Sequence, residues 1–124
     1  VSQRVVILGA SEKPERYSNK AMHMLNDYGH KVVLVSPRVK SIVGATVLSS
    51  LSEVTGSVDT LTMYVGAQVS AKMADEIIKL KPRRVIFNPG SENPDLQHKL
   101  AASGIAVEEA CTLVLLRTNQ FAIA

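Results

Sequence analysis

The chain has 124 residues, 46% of them hydrophobic, with 14 Lys+Arg against 11 Asp+Glu. That length suits one compact domain over residues 1–124, and its short apolar runs exclude a membrane-spanning helix. Aromatic residues are only 4%, which argues against a nucleic-acid surface, where basic side chains alternate with stacking rings.

The first predicted element is a strand over Arg4–Leu8, whose Val5-Val6-Ile7-Leu8 run reads as buried on both faces. Gly9 follows and lets the backbone turn sharply and pass close to another group. Ser11, Lys13, Arg16, Ser18 and Asn19 then place hydroxyl, ammonium, guanidinium and amide donors in one loop. A helix comes next, capped by Ser18 or Asn19, with Ala21, Leu25 and Tyr28 on one face, Met24 alongside, and a stop at Gly29. Strand, glycine turn and helix start together form a corner that favours an anion, because free N–H groups and the helix dipole point the same way.

Lys31–Val35 is the second buried strand, ended by Ser36-Pro37-Arg38. An irregular stretch follows from Val39 to Ser57, with a short strand at Thr46-Val47 and one helical turn over Leu51–Val54. Thr60–Val65 is the third main strand, broken at Gly66. A helix then carries the stripe Val69, Met73, Ile77 and Leu80 and ends at Pro82. Val85–Phe87 is the fourth strand. Asn93 caps and Pro94 opens the next helix, in which Leu96 and Leu100 face inward and Gly104 marks the stop. Ile105–Glu108 is the fifth strand, and Thr112–Thr118 a terminal helix with Leu113 and Leu116 packed down.

Buried strands alternating with amphipathic helices predict a three-layer, Rossmann-like α/β domain with a five-stranded, mainly parallel sheet. Ligands of such sheets bind beyond the carboxyl ends of the strands, where strand order reverses. Here those ends are Gly9–Asn19, Ser36–Arg38, Gly66–Val69, Asn88–Ser91 and Ala110–Thr112. Residues 1–40 hold seven basic and three acidic side chains, and the remainder seven and eight. Positive charge therefore gathers near the first two strands and suits a small polyanion.

The dinucleotide fingerprint G-x-G-x-x-G is absent, since the next glycine after Gly9 is Gly29. The second strand does not end in the carboxylate that NAD would need; it runs into Arg38. Arginine at that place pairs a phosphate on the ribose through its planar fork. NADP and coenzyme A both carry one, and the long polar first loop favours coenzyme A slightly.

Gly9-Ala10-Ser11, Val35-Ser36-Pro37-Arg38, the I-V-G-A-T-V-L-S-S-L-S-E-V segment at 42–54, F-N-P-G-S-E at 87–92 and E-A-C-T-L-V-L-L-R-T-N-Q-F at 109–121 form an ordered set. It resembles the small coenzyme A-binding proteins, which are similar to the coenzyme A-binding domain of the succinyl-CoA synthetase α subunit and of ADP-forming acyl-CoA synthetases. The resemblance implies a pyrophosphate over Gly9, Ala10, Ser11 and the following helix, with Lys13, Tyr17, Ser18 and Asn19 in the same loop. It implies Arg38, beside Ser36 and Pro37, against the 3′-phosphate. Tyr64, Val65, Gly66 and Val69 would border the adenine, and Asn88, Pro89 and Gly90 the pantetheine arm.

The phosphate-accepting histidine and the ATP-binding part of those synthetases have no counterpart here: His23, His30 and His98 avoid the strand-end loops. Glu108 and Glu109 are adjacent, point apart in a strand and make no acid–base pair. Glu12 and Glu15 are expected to face outward, because they would repel a polyanion. No spacing suits a metal site. Cys111, the single cysteine, excludes an internal disulfide and fits a reducing, cytoplasmic setting. It has two readings: a thiol that meets coenzyme A and forms a mixed disulfide with it, or the small buried hydrophobe that free cysteines usually are. No charged-then-apolar leader is visible at Val1, so no signal peptide is expected. The expectation is a module that binds coenzyme A or an acyl-CoA as carrier, sensor or accessory, without catalysis. The alternative is an NADP-dependent oxidoreductase or an enzyme acting on the acyl thioester. Protein partners and homo-oligomers are left open.

Overall fold

The computed structural model describes residues 2–123, so the domain limits at Val1 and Ala124 fall outside the described residues. Seven strands, β1 Arg4–Leu8, β2 Lys31–Val35, β3 Ser41–Ile42, β4 Ala45–Leu48, β5 Thr60–Met63, β6 Arg84–Phe87 and β7 Ala106–Glu109, form one sheet in the order β3-β4-β2-β1-β5-β6-β7. All neighbours are parallel except the β3–β4 pair. The helices are α1 Tyr17–Asp27, α2 Ala67–Ser70, α3 Ala74–Leu80, α4 Pro94–Ala102 and α5 Thr112–Arg117, with one 3-10 turn at Leu51–Glu53.

Strand alternation builds the three layers. Val5 and Ile7 of β1 join Met22 and Leu25 of α1 and Leu115 and Leu116 of α5. Val6 and Leu8 pack on the other face with Ile77 of α3 and Leu96 and Leu100 of α4. Each such fully buried side chain stabilises the fold by roughly 1.5–3 kcal/mol. With helices on both faces, the architecture is the expected Rossmann-like one.

Five departures have local causes. The sheet has seven strands rather than five: the short strand expected at Thr46-Val47 joins it as β4 beside β2, and Val43 and Gly44 take positive φ (49° and 79°) and fold β3 back on β4. β5 closes at Met63 rather than Val65, and the Met63 carbonyl accepts from the Asn88 side chain at 2.8 Å. α1 starts at Tyr17 with Arg16 as its cap, so Ser18 and Asn19 lie inside the helix, buried. Tyr28 is 52% exposed, because the helix ends at Asp27 and the ring leaves the apolar face. The single helix expected from Val69 to Leu80 is two: Ser70 is buried and bonded by Asn93 Nδ2 at 3.0 Å, and the chain re-enters helix at Ala74.

Candidate functional site

From β1 at the sheet centre the chain crosses through α1 to β2 on one side and later returns to β5 on the other. The loops after β1 and β5 therefore part, and a crevice opens at the carboxyl edge. A cavity of about 630 Å³ lies there, within the usual span of small-molecule sites, about 300–1,000 Å³. Four strand-end loops line it: Gly9–Lys13 with Arg16–Ser18, then Ser36–Val39, Tyr64–Gly66 with Val69, and Pro89–Ser91.

Gly9 makes the crevice narrow at its base. Its φ is +94°, and a Cβ there would stand 3.0 Å from the Tyr64 carbonyl oxygen and 3.1 Å from a Val65 methyl. Only glycine meets both conditions without strain. The Gly9 and Ala10 amides are not free donors, since both bond the Val35 carbonyl (3.0 and 3.1 Å). Among the described residues, no protein group accepts from the amides of Ser11, Glu12, Tyr17 and Ser18. Two of these four open helix α1, where the dipole adds to them.

Three cations belong to the same cavity: Lys13, Arg16 and Arg38. Among the described residues no carboxylate lies within salt-bridge distance of any of them. Ser36, buried, accepts from the Arg38 amide at 3.3 Å and so shapes the turn that carries the arginine. Glu12 and Glu15 are exposed as expected, but Glu12 also lines the cavity. A second hollow, about 340 Å³, lies between the 3-10 turn and α3. Its only cation, Lys79, is outnumbered by Asp75 and Glu76, so it does not suit an anion.

The structure gathers fifteen of the eighteen sequence-predicted site residues on this one lining and leaves out Asn19, Asn88 and Cys111. Asn19 is buried and donates from Nδ2 to the Ser11 carbonyl at 2.9 Å, bracing the loop from behind. Asn88 is an internal bracket. Its Nδ2 donates to Thr62 Oγ1 (2.7 Å) and the Met63 carbonyl (2.8 Å), and its Oδ1 accepts from the Thr112 amide (2.9 Å). Cys111 is half-buried at the start of α5. The lining adds Glu12, Arg16, Val39 and Ser91; of these, Arg16 was legible as a cation in a loop already read as polar.

Tyr64 shows one uncompensated group. Its hydroxyl is buried with no hydrogen-bond partner among the described residues, and burial pushes its pKa up to about 12. The nearby hydroxyls of Thr62 and Thr112 bond each other at 2.9 Å instead. His30 sits at the opposite, amino edge, where its Nδ1 accepts from the Gln3 amide at 3.0 Å and burial lowers its pKa. Glu108 turns toward Arg84 (3.8 Å) and Glu109 accepts from Gln97 (2.9 Å), so the two carboxylates do point apart. Among the described residues there is no group of three or more His, Cys, Asp or Glu that could hold a metal ion. No described helix is long and apolar enough to cross a membrane.

Comparison with known proteins accounts for nearly the whole chain. The sequence profile of a family described as a CoA binding domain matches residues 3–117. This chain belongs to that family. A crystal structure of an uncharacterized protein shares its fold with a TM-score of 0.92 and 36% identity, over 98% of this chain and 99% of the other. The Bacillus subtilis (strain 168) protein YneT is 26% identical over 106 residues, 86% of this chain and 78% of YneT. The dinucleotide-forming acetyl-coenzyme A synthetase 1 of Ca. Korarchaeum cryptofilum, solved with phosphate and ADP, matches with a TM-score of 0.74 and 19% identity. That match covers 87% of this chain but only 25% of the synthetase, so what it shares with this family member is the fold.

Proposed function

We propose that the protein binds coenzyme A or an acyl-CoA in the carboxyl-edge cavity and does no chemistry on it, serving as a carrier, sensor or accessory module. One observation carries this reading beyond family membership. Arg38, Lys13, Arg16 and the unpartnered amides of the first loop share a single cavity. That donor set fits a ligand with two separate phosphate groups. Arg38 would pair the 3′-phosphate, as its forked donors suit. Lys13, Arg16 and the amides of Ser11, Glu12, Tyr17 and Ser18 would hold the pyrophosphate. Tyr64, Val65, Gly66 and Val69 would border the adenine, and Pro89 and Gly90 the pantetheine arm. Asn19 and Asn88 would act from behind as braces, and the place of Cys111 outside the lining gives no support to a mixed disulfide.

Thermal unfolding with coenzyme A, acetyl-CoA, NADP and NAD in parallel tests the reading, since a ligand of the folded state alone raises the midpoint. Coenzyme A and acetyl-CoA should stabilise and NAD should not. Stabilisation by NADP without coenzyme A would favour the oxidoreductase alternative, which shares the demand for Arg38. Acetyl-CoA recovered unchanged after incubation supports the non-catalytic role; thioester cleavage or transfer overturns it.

A further inference from the structure

The cavity is chemically lopsided. Its β1 and β2 side carries Lys13, Arg16, Arg38 and the free amides. Its β6 side, Pro89–Ser91, has no charged lining residue, and the donors there are already engaged. Proline has no N–H. The Gly90 amide donates to Glu92 Oε1 at 2.9 Å. The amide and hydroxyl of Ser91 both donate to the Asn88 carbonyl (2.9 and 2.7 Å). The Asn88 side chain behind this wall is held by Thr62, Met63 and Thr112, and the Tyr64 hydroxyl beside those threonines is buried. Strong selectivity for a polar group arises when a site is built to hydrogen-bond it, because the analogue lacking that group then leaves buried partners unpaired. The β6 wall offers a pantetheine arm or its acyl group no such free donor.

We infer that the site reads the 3′-phospho-ADP portion of its ligand and is indifferent to what lies beyond the diphosphate, so that free coenzyme A and its short acyl thioesters are one ligand class to it. The inference rests on the function proposed above and adds what that reading leaves open. Occupancy would then follow the total of these compounds and not any single acyl group.

Calorimetric titration of the full chain with coenzyme A, acetyl-CoA, succinyl-CoA, 3′-phospho-ADP and pantetheine 4′-phosphate tests it. The three coenzyme A species should bind within about threefold of one another, and 3′-phospho-ADP within about tenfold of coenzyme A, a difference of about 1.4 kcal/mol. Pantetheine 4′-phosphate should show no binding. A preference of about thirtyfold or more for one acyl group, or loss of binding on removing pantetheine, overturns the inference while leaving coenzyme A binding intact. Failure of coenzyme A itself to bind overturns both.

Discussion

The two edges of the sheet hold similar side chains in opposite circumstances. At the amino edge Arg84 is only 4% exposed. Its Nη2 donates to Thr60 Oγ1 (3.0 Å) and the Phe121 carbonyl (2.8 Å), its Nη1 lies 3.8 Å from Glu108, and the guanidinium stacks 4.7 Å from the Phe121 ring centroid. Gln3 completes the set, accepting from Thr60 and donating to the same Phe121 carbonyl. At the carboxyl edge Arg38 is exposed, and its side chain has no partner among the described residues. Arginine at one edge closes the fold over Phe121; at the other it is left without a partner among the described residues. Buried polar groups are paired by the protein itself, so a cluster of unpaired donors around a cavity is the more informative sign of a ligand.

The largest effect separating the edges should come from Arg84→Ala. Losing charged hydrogen bonds and a buried stem should cost about 2–4 kcal/mol in urea unfolding, with coenzyme A affinity unchanged in the protein that remains folded. Gly9→Ala should cost about 1–3 kcal/mol, because a Cβ there meets the Tyr64 carbonyl at a strained φ, and it should also weaken ligand binding measured calorimetrically. Arg38→Ala should reverse the pattern. Stability should hold within about 0.5 kcal/mol, while coenzyme A binding falls by about ten- to a hundredfold and dephospho-coenzyme A binding is unchanged. Equal losses for both ligands would remove the 3′-phosphate assignment.

Tyr64→Phe should have the smallest effect. Deleting the orphaned hydroxyl should leave stability unchanged or raise it by about 1 kcal/mol. It also has a pH signature. The folded-state pKa, about 12, lies above the ordinary 10, so the neutral phenol is favoured by folding. That contribution is fully present below 10 and is lost as pH rises from 10 toward 12. The wild-type chain should therefore lose stability more steeply than the Phe variant across that window, as read by denaturant midpoints.

Strands buried on both faces were the most legible elements. β1 and β2 each open on one basic residue, Arg4 or Lys31, and end where the continuous Val, Ile and Leu run does, because a strand covered by two helix layers tolerates few polar residues. The strand-end loops were legible too, since β–α alternation alone puts them on one edge. The two-residue β3 was not, as its pattern is too short to show a period. The break between α2 and α3 was hidden because Val69, Met73, Ile77 and Leu80 fit a single stripe, and the contact that pins Ser70 comes from Asn93, 23 positions away.

Pattern and residue type were thus enough to name the fold and to put Lys13 and Arg38 in loops at the carboxyl ends of the strands, because periodicity and turn chemistry act over a few neighbouring residues. Which donors remain free was settled by packing. The Gly9 and Ala10 amides are taken by Val35, the Asn88 amide by Thr62 and Met63, while Arg16 joins the lining. Such pairings join segments far apart in the chain, and no local pattern of residues encodes which of two polar groups will find a partner.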